Sequence, residues 1–385
     1  MKYLVALFAL LFSLALPAQN VRQLSAESQI SLMTVAPGPF MYSAFGHSAI
    51  RVFDPVNRID RCYNYGTFDF QQPNFYLKFC QGKLLYYLDV ETYRNFEYGN
   101  LYDKRAMQEQ VLSLTQEEKE RLFSLLLDNS LEENKYYKYD FFYDNCATRI
   151  RDILNETFYY RLEFDSSGLG QPKTMRQLLH PYLSDKPWLR FGIDLVLGMP
   201  ADKKASADQF MFLPDYLHDL MGSAKLNGER NLVLREREIP VRGDTETKPG
   251  FLDVFTPMWL MILVAVLGVL SMFNTRAARV FDFIFWLLLG IAGLVIAFLW
   301  FATDHSATKM NWNIMWALPT HLLYFWRTKK SEWADNYFMA TAMLAGLALL
   351  LWMVIPQDMP KEAIPIMILI VIKGMWGRYG KREDI

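Results

Sequence analysis

The chain has no glycine-rich phosphate loop, no internal repeat, no low-complexity tract and no excess of either charge. Its 385 residues carry a net charge of -1, and no basic run stands out before residue 250. These absences exclude phosphate-loop nucleotide enzymes and repeat scaffolds, and they give no electrostatic footing for nucleic acid. No cofactor and no metal are expected. Cysteine and histidine are scarce, three and five in number, so each one that falls in a structured context needs a reason.

What is abundant is apolar sequence, unevenly placed. Residues 1–18 carry Lys2, an apolar run from Tyr3 to Leu14 and the small-residue end Ala15-Leu16-Pro17-Ala18. That pattern reads as an export signal cleaved near Ala18. Residues 19–250 are mixed in polarity and are expected outside the cytoplasm. We divide them into a catalytic domain at 19–185 and a mainly helical extension and linker at 186–250. After Lys248-Pro249-Gly250 the composition changes to apolar runs with short polar breaks. Spans are expected at about 256–273, 280–302, 312–326, 338–355 and 363–377, so residues 251–385 form an all-α transmembrane domain of about five helices. Pro319 makes the third the weakest of the five.

Loop charge agrees with that count. With the first domain outside, Arg276 and Arg279, then Arg327, Lys329 and Lys330, then Arg378, Lys381 and Arg382 all fall inside. The alternate loops are poor in basic residues, as the positive-inside rule requires.

All three cysteines, Cys62, Cys80 and Cys146, lie in the exported part, where thiols can oxidise. Pairing Cys62 with Cys80 leaves Cys146 free, although sequence separation does not determine geometry. Most free cysteines are small buried hydrophobes, but Cys146 has a telling context. Asp144 or Asn145 can cap a helix whose Ala147, Ile150 and Leu154 share one face, which puts Cys146 in the first turn. There the helix dipole favours thiolate, the nucleophilic form. His47 opens the β-like run Ser48-Ala49-Ile50-Arg51-Val52-Phe53, and a turn through Asp54-Pro55-Val56-Asn57 leads to a second run around Cys62-Tyr63-Asn64-Tyr65. On its own such a histidine is more often a satisfied structural residue.

The boxes Phe45-Gly46-His47-Ser48-Ala49-Ile50-Arg51-Val52, Tyr63 to Phe70, Gly82-Lys83-Leu84 and Asp144-Asn145-Cys146-Ala147-Thr148 resemble the periplasmic domain of Lnb-type lipoprotein N-acyltransferases. Pro187 to Gly192 and Met211 to Asp215 resemble the same family's continuation. The order histidine first, cysteine later is also similar to circularly permuted papain-like enzymes of the NlpC/P60 type. The resemblance implies an α+β, permuted papain-like domain with a small antiparallel sheet packed on the thiol-bearing helix. It implies Cys146 as nucleophile and His47 as base, with Asn64 orienting the imidazole and Asp69 as the competitor for that role.

The activity so implied moves an acyl chain from a phospholipid, through a cysteine thioester, to the N-terminal amine of a diacylated lipoprotein. Its setting would be a bacterial inner membrane, with the catalytic domain in the periplasm. The rival activities are an NlpC/P60-like peptidase or amidase acting on peptidoglycan, and a phospholipase, both of which would use the same thiol with water as acceptor. Two further features are expected to be ordinary. The polar loop Asp304 to Thr308 with Asn311-Trp312-Asn313 reads as helix caps facing water. The aromatics Tyr136-Tyr137 and Phe141-Phe142-Tyr143 read as core before they read as an acyl groove.

Overall fold

A computed structural model of the chain describes residues 23–241, 250–326 and 332–379. The expected export signal lies outside the described residues, as do Arg327, Lys329, Lys330, Lys381 and Arg382. The exported part is built on an antiparallel sheet of seven strands. They are β1 (Gln29–Val35), β2 (His47–Asp54), β3 (Ile59–Thr67), β4 (Leu85–Thr92), β5 (Met107–Leu112), β6 (Tyr136–Lys138) and β10 (Val233–Ile239). Their order across the sheet is β10-β5-β1-β2-β3-β4-β6. A three-stranded ribbon joins β7 (Leu162–Glu163), β8 (Lys225–Leu226) and β9 (Arg230–Asn231).

Register follows from the alternation of side chains along each strand. Leu32, Ile50, Val52, Tyr63 and Tyr65 lie in the larger core, while Met33, Val35, Ala49 and Cys62 form a smaller one with Tyr93 and Phe96. Tyr93 and Phe96 come from α2 (Tyr93–Tyr102), which follows the short α1 (Phe75–Gln81). The larger core is closed by α3 (Gln116–Ser130) and α4 (Cys146–Thr157). Ala147, Ile150 and Leu154 are fully buried on α4, and each large aliphatic side chain so placed contributes about 1.5–3 kcal/mol. The β2–β3 turn is tied by Asp54, whose carboxylate accepts from the N–H groups of Val56 and Asn57 and from Ser25.

Residues 186–241 are not the mainly helical extension that the sequence suggests, and residues 242–249 of the expected linker lie outside the described residues. The segment 186–241 does contain α5 (Pro187–Val196) and α6 (Pro214–Ser223), but β10 returns to the main sheet and pairs with β5 along its length. The fold of the exported domain therefore runs past residue 185 to Ile239. Arg235-Glu236-Arg237-Glu238 is the charged stretch of β10. As an edge strand its charges are matched by β5: Glu236 accepts from Gln110 Nε2 at 2.6 Å and Arg237 pairs with Glu109 at 2.7 Å. Arg176 binds the helical part inward. Its guanidinium is fully buried, contacts Asp202 at 2.8 Å and Asp194 at 3.2 Å, and donates to the carbonyls of Leu197 and Gly198.

The C-terminal third is helical: α7 (Pro257–Ser271), α8 (Thr275–Phe301), α9 (Glu332–Leu350) and α10 (Ile364–Tyr379). Among the described residues α8 is long and apolar enough to cross a membrane, and α7 is a shorter apolar helix. The third expected span is not a continuous α-helix. It folds as two 3-10 segments, Trp312–Met315 and Pro319–Trp326, and the break between them falls at Pro319, which lacks an N–H and constrains the residue before it.

Loops of this helical region dock directly on the exported domain. Gly198 donates to Ala307 O at 2.8 Å, and a Cβ at Gly198 would stand 1.8 Å from Lys309 O, an approach only glycine allows. Asn311 Nδ2 donates to Leu195 O at 2.9 Å, and Gln357 Nε2 donates to Leu197 O at 3.2 Å. The Asp304 N–H donates to Gln81 O at 2.8 Å, and His305 Nε2 meets Phe79 O at 3.1 Å. Ser306 donates to Asp140 and Lys138 pairs with Asp304. The polar loop expected to face water is thus a set of fasteners between the two parts of the molecule.

Candidate active site

Cys146 begins α4, and Asn145 rather than Asp144 caps it. The Asn145 side chain accepts from the N–H groups of Ala147 and Thr148, both at 2.9 Å, while Thr148 Oγ1 accepts from the Asn145 N–H at 2.7 Å. A cap of this kind is worth about 1 kcal/mol, and Asn145 Nδ2 also donates to Phe141 O and Phe212 O, both at 2.8 Å. Asp144 instead pairs with Arg149, whose guanidinium lies 3.9 Å from the centre of the Tyr137 ring. The first turn is held rigidly from both sides.

His47 opens β2 opposite Val35. Gly46 before it has φ +81°, and a Cβ there would approach Val35 O to 2.9 Å, so the entry to the strand requires glycine. The half-buried imidazole contacts the Cys146 thiol and, through Nε2, Asn64 Oδ1. Engagement of Nε2 leaves Nδ1 for the sulfur. Asn64 sits on β3 just before a bulge at Gly66, which lies beside Cys146. Asn64 Nδ2 in turn faces Glu91 Oε1 on β4 at 3.4 Å. Thiol, imidazole, amide and carboxylate therefore run in one line from α4 across β2, β3 and β4.

The electrostatics of the first two members are mutual. Burial alone would raise the Cys146 thiol. The His47 charge and hydrogen bond, with the N–H groups of Ser48 and Ala147, outweigh it and bring the thiol below its ordinary value. Burial alone would lower the His47 imidazole, but the Cys146 charge, its hydrogen bond and Asn64 raise it. Each group favours the charged form of the other, the condition for a thiolate–imidazolium pair. Burial and Asp89 raise the Glu91 carboxyl, against the opposing pull of Asn64 and His47.

The structure brings Cys146, His47 and Asn64 together and leaves Asp69 out: Asp69 is exposed and accepts from the Gln71 N–H in a turn. No disulfide joins Cys62 to Cys80, since Cys62 is buried in β3 and Cys80 is exposed on α1. Sequence reasoning missed Glu91, whose alternation along β4 gives only a strand face, and Arg105, which looks like one more charge after Asp103-Lys104. A cleft of about 220 Å³ lies between the exported domain and the loop of the helical region, lined by Phe45, Tyr139, Phe141, Leu179, Ile193 and Ala307 among others. Of the aromatics beside the thiol, Phe142 is buried in the core, whereas Phe141 faces this cleft.

Residues 18–180 match the family model of the Lnb N-terminal periplasmic domain, and residues 248–383 match that of the Lnb transmembrane domain. The chain belongs to the Lnb family. It is accordingly an acyltransferase that acts on lipoprotein amines, a membrane protein with its N-terminal domain in the periplasm and its helical region in the inner membrane. Lipid and lipoprotein substrates follow from the same membership. No curated protein and no solved structure matches this Lnb chain.

Proposed function

We propose that Cys146 carries the acyl group as a thioester, taking it from a glycerophospholipid and delivering it to the α-amino group of a diacylglyceryl-modified N-terminal cysteine. The observation that carries this reading is the contact between the Cys146 thiol and the His47 ring, each raising the charged population of the other. The thiolate attacks the ester carbonyl of the lipid, and a tetrahedral oxyanion forms. The imidazolium of His47 gives its proton to the departing alkoxide, and lysophospholipid leaves. Neutral His47 then takes a proton from the lipoprotein amine as that nitrogen attacks the thioester. Sulfur departs as thiolate, and the ion pair is restored.

Asn64 acts on the ring as a positioning residue. Its Oδ1 accepts from Nε2–H and so keeps the proton on the nitrogen that faces away from the thiol. The Thr148 N–H is held by Asn145 and the Ala147 N–H is shared between Asn145 and the sulfur, which leaves the N–H of Cys146 itself as the first-turn donor for the oxyanion. The cleft beside Phe45 and Tyr139 supports an apolar chain, and its position against the membrane-domain loop brings both lipid substrates to one place at high effective concentration. An acyl chain seated against Phe45, Tyr139 and Phe141 would itself limit the access of water to the thioester, which separates a transferase from a phospholipase.

Mass spectrometry of the intact protein after incubation with a defined phospholipid tests this directly. An acyl mass on the Cys146 peptide that disappears when a diacylated lipopeptide is added is the expected result. An unmodified Cys146 in a preparation that transfers acyl groups would remove the thioester from the mechanism.

A further inference from the structure

Arg105 follows α2 and sits beneath the loop that joins β1 to β2. Its Nε donates to Ala36 O at 2.9 Å and its Nη1 to Asn100 Oδ1 at 3.2 Å, both neutral acceptors. The side chain is more than nine-tenths buried, and Nη2 has no hydrogen-bond partner among the described residues. A guanidinium is always charged, and one withdrawn from water with a free donor is costly unless something anionic meets it. No carboxylate pairs with it among the described residues. Burial lowers it, and the charges it feels are Asp103 first, then the Cys146 thiol and Tyr42; its own charge in turn lowers His47.

The loop above it points to what the anion is attached to. Phe40, Met41 and Tyr42 are each more than half exposed, with Phe40 stacked on Tyr42 at 5.5 Å. An exposed apolar triplet next to a buried, unpaired cation is the combination that an amphiphile fits, with acyl chains on the triplet and the headgroup below. Loop and cation are also fixed to each other. A Cβ on Gly38 would lie 2.4 Å from Ser43 Oγ and 3.1 Å from Arg105 Cδ, so the loop is closely seated on the arginine.

We propose that Arg105 binds the phosphodiester of the acyl-donor lipid, so that the enzyme selects phosphate-bearing donors over neutral glycerolipids. The proposal rests on Cys146 being the acyl-accepting thiol. In a glycerophospholipid the phosphate is only a few bonds from the ester that is cleaved, and in the lysophospholipid it remains on the leaving group. The guanidinium would therefore hold the donor in register with the thiolate and be in place to steady the departing fragment.

The test uses the full chain in detergent micelles or nanodiscs and compares phosphatidylethanolamine with diacylglycerol of the same acyl chains. Loss of one charge-assisted contact is expected to cut kcat/KM for the phospholipid by ~30-fold in Arg105→Gln, and the loss with diacylglycerol is expected to be at least ~10-fold smaller. Arg105→Lys, which keeps a point charge without the fork, should fall between the two. Equal losses with both donors would overturn the proposal and leave Arg105 as a group acting on the thiolate alone.

A second measurement needs neither turnover nor a folded variant. Alkylation of Cys146 by iodoacetamide in the wild-type protein is followed with lysophosphatidylethanolamine, monoacylglycerol or inorganic phosphate present. Protection by the lysophospholipid that clearly exceeds both others supports a lipid phosphate site. Equal protection by monoacylglycerol, or by inorganic phosphate, contradicts it. A wild-type protein that forms no acyl-Cys146 with any donor would sink the thioester reading, while the protection measurement still decides the phosphate site.

Discussion

Cys62 and Cys146 are both withdrawn from water within the same domain, yet their thiols are driven in opposite directions. Cys62 lies inside β3, where burial raises it against the help of Arg51, and Glu91, Asp60 and Glu109 add to the rise. Cys146 is also opposed by burial, but it has an imidazole in contact and two backbone N–H donors at the sulfur. Charge at a distance does not ionise a buried thiol; a proton acceptor in contact with aligned donors does. The same domain thus holds an inert cysteine and a reactive one, and the difference lies in which strand ends and helix starts meet at the sulfur.

The sharpest way to break this contrast is to exchange the two sites' fates. Cys146→Ser should lower acyl transfer to a lipopeptide by ~10³-fold or more, because the hydroxyl is far harder to ionise beside the same imidazole. Cys62→Ala should leave kcat/KM within about twofold and show its effect in the melting temperature, as a small core cavity does. Comparable losses of activity at both sites, measured by lysophospholipid release and lipopeptide acylation together, would mean that the chemistry is not confined to α4.

His47→Ala probes the same point through pH. Without the imidazole, burial is left to act on Cys146, so the thiol is expected to rise to or above its ordinary range. In the wild type, iodoacetamide should alkylate Cys146 at a lower pH than free thiols, since the folded thiol is lowered. The acid limb ends where the thiolate takes a proton. The transfer reaction has an alkaline limb as well, where the raised imidazole loses the proton it must give to the leaving alkoxide. His47→Ala should move the alkylation profile to higher pH and reduce transfer by about 10²–10³-fold, the usual worth of a positioned acid–base. An unmoved alkylation profile would show that the backbone N–H groups alone hold the thiolate.

How much of this was legible in the sequence depends on whether the signal was local. The Asn145 cap, the buried face Ala147-Ile150-Leu154 and the hairpin through Asp54 are short-range patterns, and each is read from a few neighbouring residues. Strand β10 was not legible, because Arg235 to Arg237 find their partners in Gln29, Tyr93, Glu109 and Gln110, all more than a hundred residues earlier. The third span was legible in part: Pro319 marks it as the weakest of the five, but the apolar run does not reveal that it folds as 3-10 segments on either side of that proline. Arg105 and Glu91 carry no local sign at all: one becomes unusual only when the β1–β2 loop covers it, the other only when Asn64 faces it.

Asn64 against Asp69 is a smaller test of the same lesson. Asn64→Ala should cost about tenfold in kcat with little change in KM, because it frees the ring without touching substrate. Its pH profile should also shift, the His47 imidazole losing one of the contacts that raise it. Asp69→Ala should stay within about twofold, since Asp69 serves only an exposed turn. A Cys146 alkylation profile that is unchanged in Asn64→Ala would reduce Asn64 to a structural amide of the sheet.

The smallest effect is expected where the membrane region touches the catalytic domain. Asp140 accepts from the Phe142 and Tyr143 N–H groups at 3.0 and 3.1 Å, shaping the turn that delivers Cys146, and Ser306 of the membrane-domain loop donates to the same carboxylate. This is one link among several: contacts at Gly198, Asn311 and Gln357 also hold the parts together. Ser306→Ala should therefore change transfer by no more than about threefold, in line with the modest net worth of one hydrogen bond. Ser306→Ala combined with Asn311→Ala should lose more than the two losses multiplied, because each fastener limits the motion that the other must prevent. Strict multiplication of the two single effects would mean that the domains are joined by independent contacts and that the turn before Cys146 is indifferent to the membrane loop.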